Sequence, residues 1–99
     1  MKRIFSSLFV LFATFLAVAG NTVMSDIARL REAADSLHSI GRTDSAAMIG
    51  ERAIKIADSG GDLTQMVGTR SAQGVFLRSL GRIDEALDCY GGALDIITS

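Results

Sequence analysis

A repeat with a period of 40 residues constrains this fold more than any other feature of the sequence. The segments Ile40-Gly41-Arg42 and Leu80-Gly81-Arg82 each lead into a run rich in alanine and acidic residues. The repeated positions are these: Gly41, Arg42, Asp44, Ala46 and Ala53 return as Gly81, Arg82, Asp84, Ala86 and Ala93. A fixed period of this size indicates stacked repeats of one supersecondary unit.

Apolar periodicity predicts four helices and no sheet. Residues at spacings of three and four predict a helix over about 26–39, and the same period predicts helices over about 44–57, 63–79 and 84–97. Gly41 is expected to end the first helix in the left-handed conformation. Asp62 and Gln65 have the spacing of a capping box and are expected to start the third. No run alternates between apolar and polar residues in the manner of a strand, so the fold class is all-α.

The residues of the two units resemble the tetratricopeptide repeat (TPR) family in its 40-residue variant. The matching residues are Gly41, Ala46, 53–57 and Gly61-Asp62 in the first unit, and Gly74, Leu77, 80–87, Tyr90 and Ala93-Leu94 in the second. The resemblance implies two helix-turn-helix repeats, over 25–62 and 63–98, forming a short α-solenoid. The first repeat is expected to be degenerate, or a capping unit, since Gly50 stands where the family has an aromatic residue and Ala33-Ala34 replaces its Leu-Gly pair.

Small residues are expected where the helices of such repeats approach most closely. The resemblance places Gly74 with Ala34, Ala46 with Ala86, and Ala53 with Ala93 at these positions. A larger side chain there would force the backbones apart.

The resemblance also implies a non-enzymatic scaffold that binds a protein or peptide on a concave face lined by the first helix of each unit. Carried over position by position, that face consists of Arg31, Asp35, His38, Ser71, Val75 and Arg78. The alternative for the charged members is an ordinary solvated helix face.

The N-terminus has the order of parts of a secretory signal peptide over residues 1–19. Lys2 and Arg3 precede an apolar run over 4–19, which ends in Ala17-Val18-Ala19. The alternative is a retained membrane anchor, although the run is shorter than the roughly 20 apolar residues that span a bilayer comfortably. We therefore expect an exported protein, periplasmic or secreted.

Charge and reactive residues exclude several classes of function. Without residues 1–19 the chain keeps eight basic and eleven acidic residues, a net charge of −3, which is unlike a nucleic-acid-binding surface. A catalytic Cys/His pair would need His38 and Cys89, the sole residues of their types, and the resembled fold places them in different layers. One His and one Cys cannot supply the ligands of a zinc site, so we expect no metal and no cofactor.

The last predicted helix carries an apolar face, formed by Leu87, Leu94, Ile96 and Ile97, with no polar closing helix after it. Two repeats bury little surface, and a stable array generally needs about three. The chain is therefore either part of a longer protein or a homo-oligomer through this helix. An alternative function is the N-terminal sensing segment of a signal-transduction protein, such as a sensor kinase or regulator.

Overall fold

The computed structural model describes residues 22–99, with side chains from residue 26 onward. Within that range the chain forms four α-helices and no strand, which confirms the all-helical prediction. They are α1 (Thr22–Ser39), α2 (Thr43–Gly60), α3 (Leu63–Ser79) and α4 (Ile83–Thr98). The main packing pairs are α1 with α2, α2 with α3, and α3 with α4. The predicted signal peptide, or anchor, lies outside the described residues.

Two of the three turns have the same backbone hydrogen bonds, 40 residues apart. At the first, Arg42 N–H donates to the Leu37 carbonyl at 2.8 Å and Gly41 N–H donates to the His38 carbonyl at 3.1 Å. At the second, the corresponding bonds measure 2.9 Å from Arg82 to Leu77 and 3.0 Å from Gly81 to Arg78. This is the Schellman pattern, which needs a left-handed residue, and Gly41 and Gly81 have φ of 85° and 78°.

The turn before α3 is built differently. Gly61 is also left-handed, with φ of 71°, but its N–H makes a single bond to the Ala57 carbonyl at 3.1 Å. Asp62 then caps α3, because its carboxylate accepts from Gln65 N–H at 3.2 Å. This half of the predicted capping box is confirmed, whereas the Gln65 side chain accepts a hydrogen bond from Arg31 on α1.

Small side chains form most of the interior between the helices. The buried apolar residues are Ile27, Ala34, Ala46, Ala47, Ala53, Ala57, Phe76, Leu77, Ala86 and Ala93. All five alanines of the predicted close approaches are among them. Gly74 is also buried, and a Cβ atom on it would lie 2.5 Å from the Tyr90 ring. The helices pack closely because these positions are small.

The space above Gly50 on α2 is filled by a side chain from another helix. Gly50 on α2 is buried, and a Cβ atom there would lie 2.0 Å from Oε1 of Gln73 on α3. Gln73 is itself buried, and its Nε2 donates to the Ala47 carbonyl at 2.8 Å. A long polar side chain from α3 thus occupies the space above Gly50 and ties the two helices together.

A bidentate ion pair joins the end of α2 to α3. Arg70 donates to both carboxylate oxygens of Asp58, at 2.7 and 2.9 Å. The pKa of the Arg70 guanidinium is raised, chiefly by this hydrogen bond. The pair fixes the crossing of α2 and α3 near their connection.

None of the helices described over residues 22–99 is long and apolar enough to span a lipid bilayer.

Candidate partner-binding surface

The groove between α1 and α2 holds α3, and two of the predicted concave-face residues take part in this packing. Arg31 is half-buried, with a guanidinium nitrogen 3.4 Å from Oε1 of Gln65 on α3. His38 is half-buried as well. Its Nδ1 lies 2.9 Å from Oγ1 of Thr43, and its ring stands 5.2 Å from that of Phe76, centroid to centroid. Both side chains therefore contact the protein's own helices.

Asp35, the third predicted residue on α1, is exposed at the edge of the same packing. With Arg31 it lines a cavity of about 10 Å³ beside Gly50 and Thr69. A space of that size has room for about one water molecule and no organic ligand. The first triplet of predicted site residues thus borders a filled groove.

The second triplet, on α3, lies in the same repeat positions as the first. Ser71, Val75 and Arg78 follow Arg31, Asp35 and His38 by 40 residues each. Their spacings of four and three put them on one face of α3. Ser71 and Val75 are half-buried, while Arg78 is exposed and forms no salt bridge within the described residues. The two triplets are therefore not one continuous surface: α3 covers the first, and no described helix covers the second in the same way.

An apolar stripe runs along α4, which packs against α3. Its exposed members are Ile83, Leu87, Leu94 and Ile97, with 50%, 60%, 58% and 66% of their surface accessible. Half-buried Tyr90 lies between them. Spacings of four, three, four and three keep all five on one face over about 21 Å. We call these five residues the α4 stripe.

Sequence reasoning found only part of this stripe. It named Leu87, Leu94 and Ile97 but included Ile96, which is half-buried beside Leu63 and Val67 of α3. It left out Ile83 and Tyr90. A helical spacing test extended back to the start of α4 would have found both residues.

The 40-residue register identifies the counterpart of the α4 stripe on α2. The equivalent residues are Thr43, Ala47, Gly50, Ile54 and Ala57. Ala47, Gly50 and Ala57 are buried, and Gln73 of α3 contacts Ala47 and Gly50. The face of α2 that seats α3 therefore corresponds to the face of α4 that stands open.

A second groove of about 410 Å³ lies between α2 and α4. Charged residues of both signs line it, including Glu51, Lys55, Arg82 and Asp88, and so does half-buried Cys89. Burial raises the pKa of the Cys89 thiol, which favours the unreactive protonated form. His38 does not line this groove. Among the side chains of residues 26–99, no three His, Cys, Asp or Glu residues group as metal ligands would.

In comparisons with known proteins, no family model, no curated sequence and no solved structure matches this chain.

Proposed function

We propose that this chain is an exported, TPR-like scaffold, a short α-solenoid that binds a helical segment of another protein and performs no catalysis. The binding surface is the groove between α3 and α4, walled by the α4 stripe on one side and by Ser71, Val75 and Arg78 on the other. We call it the α3/α4 groove.

One observation carries this proposal: the α3/α4 groove repeats, in the 40-residue register, the α1/α2 groove that already holds a helix. The residues of α1 and α2 that contact α3 have counterparts in the open groove, and the counterparts on α4 are larger and more apolar. Thr43, Ala47 and Gly50 correspond to Ile83, Leu87 and Tyr90. Exposed apolar stripes of this kind mark interaction surfaces, because leaving them in water is unfavourable.

Selection from a displayed library of helical peptides tests the proposal. The full chain is the bait, and enriched peptides are measured against the double variant Leu87→Glu/Leu94→Glu. We expect the peptides to lose binding to this variant, since two carboxylates would have to be desolvated under the bound helix. Met48→Glu serves as the control, because Met48 is 71% exposed on α2, away from the stripe. Failure to enrich any peptide, or equal binding to all three proteins, would contradict the proposal.

Charge reversal at Arg78 and at Arg31 distinguishes a residue that contacts the bound peptide from one that packs inside the protein. Arg78→Glu should weaken peptide binding without loss of helicity, because Arg78 is exposed at the groove wall. Arg31→Glu should lower stability, because it removes the contact to Gln65 and places a carboxylate against Gly68. Circular dichroism alongside the binding measurement distinguishes the two effects.

A further inference from the structure

The exposed charges of α4 are all negative. The helix carries Asp84, Glu85, Asp88 and Asp95 and no basic residue. Three of these acids directly follow a member of the α4 stripe: Asp84 follows Ile83, Asp88 follows Leu87, and Asp95 follows Leu94. Successive residues of an α-helix are rotated by about 100°, so these three carboxylates lie on the same flank of the stripe. All three are exposed. We call them the acidic row.

The acidic row has no all-acidic counterpart on α2, and one of its members, Asp88, also lines the second groove. The corresponding residues of α2 are Asp44, Met48 and Lys55, which sum to no net charge and line the second groove beside Gln73 and Leu77 of α3. Glu85, the remaining acid of α4, lies outside the row and is hydrogen-bonded to Arg82. The α3/α4 groove therefore differs from the α1/α2 groove in two respects. Its α4 wall is more apolar, and three negative charges lie along one edge of that wall.

We infer that the occupant of the α3/α4 groove is an amphipathic helix of a partner protein with a row of Lys or Arg along one flank. This inference rests on the proposed function and specifies its partner. The basic row of the partner lies on the flank away from α3, against the acidic row. Across the groove, Arg78 on α3 disfavours basic residues on the other flank.

The direction of α3 in the α1/α2 groove predicts the direction of the partner helix in the α3/α4 groove. Consecutive helices α2 and α3 are joined by the short Gly61-Asp62 connection and run antiparallel. The partner helix accordingly runs antiparallel to α4. Covering a stripe of about 21 Å requires about 15–18 residues, or four to five helical turns.

A second copy of this chain fits the groove less well. In a two-fold antiparallel pairing of α4 with itself, each flank faces the same flank of its copy, which places the two acidic rows together. Like charges in that arrangement destabilise a helix pair. A mixed-charge or acidic partner helix is disfavoured for the same reason.

Head-to-tail stacking of two copies is disfavoured by the outer face of α1. If α1 of a second copy entered the α3/α4 groove as α3 enters the α1/α2 groove, the 40-residue register would align its residues with those of α3. It would present Arg29, Ala33 and Ser36 at the positions where α3 presents Thr69, Gln73 and Phe76. Arg29, Ala33 and Ser36 are exposed, and none has the size of Gln73 or Phe76. Such a face would bury a charge and leave voids against the α4 stripe.

Two matched peptides test the inference. Each has about 18 residues and the same apolar positions, but one carries Lys and the other Glu along the flank. Fluorescence anisotropy with the full chain should give at least about tenfold tighter binding of the Lys peptide. The difference should shrink between about 50 mM and about 500 mM salt, because exposed charges are screened.

Charge reversal on the protein provides the second arm. Asp88→Lys/Asp95→Lys should invert the preference between the two peptides. The single variants Asp95→Lys and Glu32→Lys are the matched comparison, since they make the same change in net charge. Asp95→Lys should weaken the preference for the Lys peptide, whereas Glu32→Lys, at an exposed position of α1, should leave the order unchanged.

The outcomes separate this inference from the proposed function. Equal binding of both peptides would overturn the basic-partner inference and leave helix binding in place. Binding of neither peptide by a monomeric chain would overturn both. A mass that doubles with concentration in light scattering, with neither peptide dissociating the dimer, would show that a second copy covers the groove and would overturn the inference.

Discussion

At the scale of single residues, Gly50 and Gln73 show how a polar side chain of α3 fills the space above a glycine of α2. Gln73 reaches from α3 over the Cα of Gly50, and its Nε2 is held by the Ala47 carbonyl. Its Oε1 has no hydrogen-bond partner in the described structure. The fit is specific, because only glycine leaves room for a buried amide at this distance.

Replacement of Gly50 by alanine is therefore expected to destabilise the protein. The new Cβ would meet Gln73 Oε1 at 2.0 Å, and the amide cannot move away without breaking its bond to Ala47. We expect a net loss of about 1–2 kcal/mol in the free energy of unfolding, since overpacking outweighs the gain in helix propensity. Urea denaturation measures it.

Gly91→Ala is the matched control for this prediction. Gly91 is exposed in the interior of α4, and nothing lies within 4 Å of a Cβ atom there. This variant should gain up to about 1 kcal/mol, because alanine is the better helix former. Equal effects of the two substitutions would contradict the packing argument. In the Gln73→Ala background, the additional cost of Gly50→Ala should largely disappear.

The Cys89 thiol gives a prediction about pH. Its pKa is raised above the ordinary 9.0, first by burial and further by the nearby acids Asp88 and Glu85, while Arg70 acts in the opposite direction. A raised pKa means less thiolate at any given pH. Alkylation by iodoacetamide, followed by mass spectrometry, should therefore reach half its maximal rate at a higher pH in the folded chain than in the chain unfolded in urea. Coincident pH profiles, or a lower midpoint in the folded chain, would contradict this prediction.

At the scale of elements, the helix ends are fixed by different means. At α2 and α4 the N-cap positions are Arg42 and Arg82, which make no side-chain cap. The Schellman turns before them instead supply hydrogen bonds to the last carbonyl groups of the preceding helix. The start of α3 depends on the carboxylate of Asp62.

Removal of that cap should cost stability, whereas a conservative replacement should not. Asp62→Ala is expected to lower the free energy of unfolding by about 0.5–2 kcal/mol, because an N–H group at the start of α3 loses its acceptor. Asp62→Ser keeps an acceptor oxygen and should come within a few tenths of a kcal/mol of the parent. Thermal and urea unfolding compare the three proteins. An equal loss in both variants would show that the Asp62 charge, and not its capping bond, stabilises α3.

At the scale of the whole molecule, the helices differ in how many neighbours support them. Helices α2 and α3 each pack against two others, whereas α1 packs mainly on α2 and α4 mainly on α3. Four of the five side chains of the α4 stripe face solvent and add little to internal packing, whereas Tyr90 packs against Gly74. The free energy of local unfolding is therefore lowest for α4.

Native-state hydrogen exchange should reflect this order. We expect the slowest exchange in α2 and α3 and the fastest in α4, with α1 between them. Addition of a peptide that fills the α3/α4 groove should protect α4 more than α1, since ligand binding stabilises the helices it contacts. Uniform protection across the four helices would contradict this picture.

The sequence by itself determined the helices, their turns and the small residues between them. These features follow from local rules: apolar spacing of three and four, glycine at left-handed positions, and an acceptor at the start of α3. The 40-residue period carried the same rules from one unit to the next. For this reason the sequence alone predicts the positions of Gly41, Gly81, Asp62 and the paired alanines.

Only the tertiary structure decided which helix covers each face. Periodicity shows that Arg31 and His38 share a face of α1, but their contacts with Gln65 and Phe76 join residues more than 30 positions apart. The same is true of Gln73 above Gly50, and of a stripe on α4 that is exposed while its counterpart on α2 is buried. The sequence pattern specifies whether a helix face is apolar or polar. Which segment covers that face depends on how residues distant in the sequence pack together.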